Sequence, residues 1–230
     1  MFYSPLFSAQ NPFLDEEESH HLIKVLRILP PFQCQIIDGK GNIFEADLMS
    51  IEKKICKFEI KKQTFFPPNP ISFHLAIAPT KNIDRIEWLL EKTVELGIQK
   101  ITFLLCERSQ RKQINIERLH KIAAAALKQS KNIYMPIITD MIDFKKFIQI
   151  NHTESQRFLA HLEDETQDFK KVLNPNQNIL MLIGAEGDFS PTEIELAKKN
   201  NYQMVSLGKS TLRTETAGLY ACMAFKWINS

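Results

Sequence analysis

The sequence predicts an α/β chain in two parts: a small N-terminal β-barrel-like domain with one helix, then a larger domain on a parallel sheet covered on both faces. Three observations carry this. The stretch Phe65-Phe66-Pro67-Pro68-Asn69-Pro70 interrupts the 230-residue chain, and three prolines in four positions continue neither a helix nor a central strand. Ahead of it, short segments of β-type alternation surround turn residues. Behind it, apolar runs alternate with segments of helical period, as in α/β folds. The expected domains are 1–68 and 71–230.

Residues 16–26 read as a helix. Two strands, 33–38 and 43–49, flank Asp38-Gly39-Lys40-Gly41-Asn42, a strong turn signal. A third strand, 55–60, sets apolar Ile55, Phe58 and Ile60 against charged Lys57 and Glu59. After the prolines, 71–78 is a strand and 84–96 a helix, with apolar residues at 83, 86, 90 and 94 and Gly97 closing it. Next come strand 100–106 and the alanine-rich helix 116–130, then strands 157–162 and 178–184. Helix 191–200 is announced by Ser190 as N-cap, Pro191 at N1 and Glu193 at N3, a capping box. Strand 204–207 and helix 214–228 complete the chain. The wholly apolar run 179–183 is what a parallel strand buried on both faces requires.

Composition is that of an ordinary soluble protein, 44% hydrophobic and 24% charged. No apolar run approaches the ~20 residues that span a bilayer. The acidic stretch 15–18 near the N-terminus lacks the basic-then-apolar order of a signal peptide. A cytoplasmic protein with no membrane partner is expected. Cys34, Cys56, Cys106 and Cys222 are scattered, with no C-x-x-C pair, and read as small buried hydrophobes in a reducing compartment, with no metal site. Charge is uneven. Residues 1–68 hold 8 Lys+Arg against 9 Asp+Glu, 81–131 hold 11 against 6, and 132–230 hold 10 against 12. A basic middle segment can attract RNA phosphates, and it is equally what a solvated helix face looks like.

Two loops stand out as carriers of chemistry: 183–190, after the apolar strand, and 206–216, after the last strand. Open α/β sheets bind ligands at the C-terminal ends of their strands. Each loop sets a glycine where backbone can approach a ligand closely, although a lone glycine there can also simply turn the chain. Commoner nucleotide motifs are excluded. Gly184-x-x-Gly187 is not G-x-G-x-x-G, and a P-loop ending at Gly208-Lys209-Ser210 would need a glycine where Gln203 stands. The six histidines form no H-E-x-x-H and lie near no serine nucleophile motif.

The segment Leu182-Ile183-Gly184-x-Glu186-Gly187-x-Phe189-Ser190, with Glu193, followed by Leu207-Gly208 and Leu212-Arg213-Thr214-Glu215-Thr216-Ala217, resembles the RsmE-type ribosomal RNA uridine-N3 methyltransferases of the SPOUT class. The resemblance runs the full chain. It includes His21-Leu22-Ile23-Lys24-Val25-Leu26-Arg27, Asp38-Gly39-Lys40-Gly41, Lys81 with Arg85, Lys92-Thr93-Val94-Glu95-Leu96-Gly97, Glu107-Arg108-Ser109, and Gln129-Ser130 with Pro136. The chain departs from the family pattern at Ala185 for proline, at Asp188 for glycine, at Ser210 and Thr211 for an arginine and an aliphatic residue, and near Asn132, where an arginine is common. Asp visits positive φ more readily than most residues.

The resemblance implies a PUA-like RNA-binding barrel, a SPOUT domain with a C-terminal trefoil knot, and a homodimer. It implies S-adenosyl-L-methionine as cofactor, held by Leu182, Ile183, Gly184, Glu186, Gly187, Leu207, Gly208, Leu212, Thr214 and Thr216. It implies small-subunit (16S) ribosomal RNA, free or within the assembled subunit, as substrate. Arg27, Lys81, Arg85 and Arg108 are its RNA-contacting candidates; for Arg85 a helix salt bridge is the alternative. Methylating N3 requires loss of the N3–H while negative charge develops on the flanking carbonyls, so a cation and a proton acceptor are wanted. Arg213 is the candidate for the first. Glu215 is the candidate for the second, with Glu186 the alternative, and either could instead orient Arg213 or favour the start of the last helix. N3 lies on the Watson–Crick edge, so the uridine must be unpaired or flipped. Two other readings compete: a SPOUT enzyme acting on another RNA, and a non-catalytic RNA-binding ribosome-assembly protein.

Overall fold

The computed structural model describes residues 1–162 and 166–230. It forms two compact units, Met1–Asn69 with Ala124–Met135, and Pro70–Ala123 with Pro136–Ser230.

In the first unit, β1 (Phe2–Tyr3), β2 (Phe32–Ile37), β3 (Asn42–Glu52) and β4 (Ile55–Phe65) form one four-stranded sheet in that order. β1 runs parallel to β2 and the other pairings are antiparallel. The expected helix divides. α1 (Glu16–His20) starts at Asp15, whose carboxylate accepts the Glu18 amide at 2.8 Å, and then widens into a π-type turn over His21–Val25. Phe7, Phe44 and Phe58 are buried, with edge-to-face ring contacts at 5.1 and 6.0 Å.

The turn 38–42 is built as its residues suggest. The Asp38 carboxylate accepts the Lys40 amide at 2.7 Å and the Asn42 amide at 3.1 Å. Gly41 has φ +100°, and a Cβ there would lie 2.2 Å from the Tyr134 hydroxyl. The Ala124–Met135 segment is tied to this hairpin, with the Met135 amide donating to Gly39 at 2.9 Å and the Gly41 amide to Ile133 at 3.2 Å.

The second unit holds β5 (Phe73–Ile77), α2 (Ile83–Leu96), β6 (Lys100–Leu105), β7 (Ile137–Asp143), α4 (Phe144–Gln149), β8 (Gln156–Ala160), β9 (Gln167–Asp168), α5 (Phe169–Val172), β10 (Ile179–Ile183), α6 (Pro191–Lys199), β11 (Gln203–Ser206) and α7 (Thr214–Ile228), and helix α3 (Ile116–Ser130) begins in it. The sheet order is β7-β6-β5-β10-β8-β11-β9, and every pairing is parallel. β5 and β10, side by side at its centre, are buried at all five positions, as strands covered on both faces must be. Because β8, β10 and β11 are parallel neighbours, the segments leaving them emerge along one edge of the sheet. That places the two loops singled out above beside each other.

Gly97 takes φ +83° and ends α2 as expected. The capping box of α6 is present: the Glu193 amide donates to Ser190 Oγ at 3.3 Å and the Ser190 amide to Glu193 Oε2 at 2.8 Å. α7 packs against the sheet at Gly218, where a Cβ would meet Ile77 at 3.1 Å and Leu75 at 3.3 Å. Among the described residues, no helix is long and apolar enough to cross a membrane.

Candidate functional site

The segments after β8, β10 and β11 enclose a cavity of about 270 Å³, near the lower end of the ~300–1,000 Å³ common for small-molecule sites. Ala160, His161 and Leu162 come from the first, Ile183 to Glu186 with Asp188 from the second, and Leu207 with Ser210 to Thr214 from the third. Ala217 of α7 and Arg85 of α2 complete the wall. Ile183, Leu207 and Leu212 give it flat apolar sides, and Arg85 and Arg213 place cations where Glu186 and Asp188 place carboxylates. A ligand with one planar apolar part and one zwitterionic part matches this lining. S-adenosylmethionine, with its adenine and amino-acid ends, is such a ligand.

Of the ten residues assigned to the cofactor by resemblance, Ile183, Gly184, Glu186, Leu207, Leu212 and Thr214 line the cavity. Leu182, Gly187, Gly208 and Thr216 do not, and the physical reasons differ. Leu182 is fully buried and alternates away from the loop, into a cluster with Ala76, Leu104, Phe144 and Phe189. Gly187 lies against Arg108, whose Cβ would be 3.4 Å from a Cβ added at 187. Gly208 turns the chain at φ +129° with open space around it. Thr216 is exposed, in the first turn of α7.

The 184–190 loop is held from three directions. Glu186 Oε1 accepts the Lys81 amide at 2.9 Å. The Arg108 guanidinium donates to the carbonyls of Gly187 at 2.7 Å and Phe189 at 3.3 Å. His161 Nδ1 lies 2.6 Å from Asp188 Oδ2, while Asp188 itself sits at φ +60°. Gly184 is required by the loop's own closure, since a Cβ would stand 3.2 Å from Asp188 and from the Phe189 ring. Gly184 thus serves the close approach of the loop to itself while also lining the cavity.

At the mouth of the cavity α7 begins. Arg213 occupies its N-cap position, is exposed, and makes no side-chain hydrogen bond or ion pair with any described residue. Glu215, in the first turn, is 7% exposed. Its Oε1 lies 3.8 Å from Arg85 Nε, and its Oε2 is buried without a hydrogen-bond partner. The salt-bridge alternative for Arg85 is therefore present, but with a partner on α7 rather than on its own helix. Glu186 Oε1 is engaged by the Lys81 backbone, whereas the Glu215 Oε2 atom is buried with no hydrogen-bond partner among the described residues.

Lys81 borders a separate depression with Gln110, Arg111, Lys112 and Gln113. Arg111 donates to the carbonyls of Thr80 at 3.0 Å and Lys81 at 2.6 Å. Arg108 is exposed yet committed to the loop, and Arg27 belongs to the first unit, at φ +55°. Sequence reasoning missed His161, Asp188 as its partner, Arg111 and Trp88. No local pattern marks any of them.

The opposite edge of the sheet carries a different cluster. His74, 1% exposed, sits between Glu154 (Nδ1 to Oε1, 2.8 Å) and Thr102 (Nε2 to Oγ1, 2.9 Å). His152 Nε2 donates to the Phe147 carbonyl at 2.9 Å. Burial pushes both histidines below their ordinary pKa, against the pull of Glu154. Burial is the largest single influence on Glu154 and would raise it, but the hydrogen bonds from His74 and the backbone, with the nearby His74 and His152 rings, together outweigh it and hold the carboxyl down at about 2. His74, His152 and Glu154 have metal-ligand chemistry and spacing, and His74 Nδ1 is within hydrogen-bond distance of the Glu154 carboxylate.

Residues 67–226 match the model of an RNA methyltransferase domain, and residues 14–61 that of an RNA methyltransferase PUA domain. The chain is 30% identical over 221 residues to ribosomal RNA small subunit methyltransferase E of Buchnera aphidicola (subsp. Acyrthosiphon pisum), covering 93% of this chain and 87% of that protein. A crystal structure of a probable rRNA-methyltransferase from Porphyromonas gingivalis superposes with TM-score 0.92 at 36% identity, over 99% of this chain and 97% of the other. Ribosomal RNA small subunit methyltransferase E from Neisseria gonorrhoeae, solved bound to S-adenosyl methionine, superposes with TM-score 0.88 at 27% identity, again over 99% and 97%. With PUA and methyltransferase domains in this order and relatives matched along nearly their whole length, the chain belongs to the RsmE-type family of ribosomal RNA small subunit methyltransferases.

Proposed function

We propose that this protein methylates N3 of a specific uridine in small-subunit (16S) ribosomal RNA, with S-adenosylmethionine held in the cavity between the 183–188 and 207–214 segments. The observation that supports this most lies at the start of α7: Arg213, which lines the cavity and is exposed without a side-chain partner among the described residues, and Glu215, in the adjoining depression, a buried carboxylate with an unused oxygen. The cofactor, when bound, supplies an electrophilic methyl carbon. Everything else falls to the chain. Ile183, Leu207 and Leu212 pack on adenine, and Gly184, Glu186 and Thr214 line the path of the remainder. Glu215 accepts the N3 proton, and Arg213 faces the carbonyl oxygens, where negative charge accumulates as that proton leaves.

The first unit, in this reading, is the RNA-binding domain with Arg27 on it, and Lys81 and Arg85 guide the strand toward the cavity. Arg108 acts on the loop. The protein works in the cytoplasm as a homodimer, on naked RNA or on the assembled subunit. The test is to incubate purified protein and S-adenosylmethionine with small subunits from a strain lacking the enzyme. Mass spectrometry of digested 16S RNA should show one new N3-methyluridine. A methyl group on ribose, on another base or on transfer RNA would overturn the assignment, and so would absence of cofactor binding by calorimetry.

A further inference from the structure

Beside the cofactor cavity lies a second depression of about 400 Å³, lined by Asp84, Arg85, Trp88, Arg213, Glu215 and Thr216. It shares Arg85 and Arg213 with the cavity wall. Trp88 is 44% exposed on α2, a large aromatic face left open to solvent next to two guanidinium groups. Glu215 adds the second observation. A carboxylate oxygen buried without a donor is destabilised until one arrives, and the Glu215 Oε2 atom is in that state. The depression thus combines a flat apolar surface, two fork-shaped donors and one acceptor awaiting a hydrogen.

We infer that this depression is the subsite for the target base, with Trp88 as its stacking platform and Arg85, Glu215 and Arg213 reading the base edge. The inference rests on the uridine reading above and extends it to recognition. The Watson–Crick edge of uracil presents acceptor, donor, acceptor: two carbonyl oxygens on either side of N3–H. Arg85, 3.8 Å from Glu215, and Arg213 in the same lining supply the donors and acceptor of the complement. Cytosine would set its bare N3 against the carboxylate and its amino group against an arginine, so both contacts fail. A flipped base loses its stacking neighbours in the RNA, and an exposed indole replaces them. Stacking of this kind corresponds to roughly a 5- to 100-fold change in binding per base.

The chain has two tryptophans, Trp88 and Trp227, and Trp227 is 81% exposed. Trp227→Phe therefore leaves Trp88 as the sole reporter with its surroundings intact. Titrating this full-length variant with an oligouridylate should quench its fluorescence, with an oligocytidylate about tenfold weaker and an abasic oligonucleotide without effect. Glu215→Gln should abolish the preference for uridine while leaving S-adenosylmethionine binding by calorimetry within about twofold. Trp88→Ala should raise the KM for RNA about tenfold with kcat nearly kept, and Trp88→Phe should restore it. No quenching by oligouridylate at millimolar concentration, or equal quenching by the abasic strand, overturns the subsite. The two readings fail separately. Quenching without any N3-methyluridine on 16S RNA would remove the proposed reaction and keep the base site, whereas methylation without quenching would do the reverse.

Discussion

The two edges of the parallel sheet in the second unit are built from similar material and finished in opposite ways. At the N-terminal edge, His74, Thr102, Glu154 and His152 close on one another at 2.8 to 2.9 Å or on the Phe147 carbonyl. Asn178 accepts the Ser72 amide and Gln99 accepts the Phe73 amide. The Tyr202 hydroxyl, buried without a partner, is a loose end of this edge. At the C-terminal edge the strands open into a cavity. There, among the described residues, Arg213 has no side-chain partner and Glu215 keeps a buried oxygen unused, while Asp188 takes a positive φ. Buried polar groups are ordinarily satisfied by the protein itself. Where they are not, and the groups converge on a cavity, the missing partner is a ligand. The first edge holds the fold, and the second is left incomplete for chemistry.

The largest way to break that contrast is Arg213→Ala. If Arg213 faces charge that develops only as N3 loses its proton, its removal should lower kcat by roughly 100- to 1,000-fold. Melting temperature should hardly change, because the exposed guanidinium makes no hydrogen bond or ion pair with a described side chain, and cofactor affinity should fall far less than the rate. Equal losses in cofactor affinity and in rate would mean that Arg213 grips the cofactor instead.

At the closed edge the expected damage is to stability and its pH dependence. His74→Gln leaves Glu154 without its principal donor, and burying that carboxylate unpaired should cost about 1–3 kcal/mol in urea unfolding. The pH signature follows from the directions of the shifts. The folded-state pKa values of His74 and His152 are lowered by burial, so below the ordinary histidine value near ~6.5 the unfolded chain takes up protons that the folded one resists. Stability should be flat above about pH 7 and fall toward pH 5, by up to ~1.4 kcal/mol per pH unit for each group. Glu154, held at about 2, contributes in the same sense over a lower pH window. Its stabilisation is complete above the ordinary carboxylate range and is lost only as pH drops toward 2. The His74→Gln variant should therefore show a shallower decline between pH 7 and 5 than the parent. Parallel curves would show that His74 titrates freely in the folded state.

Sequence reading caught the elements whose burial is one-sided or complete and lost those whose burial is mixed. The run 179–183 and the helix 214–228 were legible because every residue, or one continuous face, is apolar. β7 was invisible. It is an edge strand of the sheet, and its residues Ile137–Asp143 carry Asp140 and Asp143 among four isoleucine and methionine positions, mostly exposed or half-buried. β4 runs on to Phe65 because pairing with β3 continues past the point where Lys61, Lys62 and Gln63 end the apolar alternation. The attachment of Ala124–Met135 to the hairpin of the first unit had no local signal, since Tyr134 and Gly41 meet only through the fold. The same holds at the site. The loops could be read from their glycines and the Leu-Arg-Thr-Glu run. Trp88 and His161 are single residues on other elements, and only tertiary structure brings them to the cavity.

The smallest expected effect tests whether the open edge is loose or braced. Asp188 and His161 join the loop after β10 to the end of β8 at 2.6 Å, across the wall of the cofactor cavity. Replacing Asp188 with glycine removes the side-chain partner and also relieves an L-residue of its positive φ. Its two consequences oppose each other: lost bracing weakens the loop, and lost strain favours it. Replacing His161 with glutamine removes the ring and leaves the φ unchanged, so the comparison isolates the brace. His161→Gln should weaken S-adenosylmethionine binding about three- to tenfold, the order of one typical net hydrogen bond. Asp188→Gly should weaken it less, with kcat preserved in both. If Asp188→Gly binds the cofactor worse than His161→Gln, the carboxylate acts on the ligand directly and not through the loop. Calorimetry on the two variants decides it, because a brace acting through loop order should make binding more costly in entropy, whereas a lost direct contact should appear mainly in enthalpy.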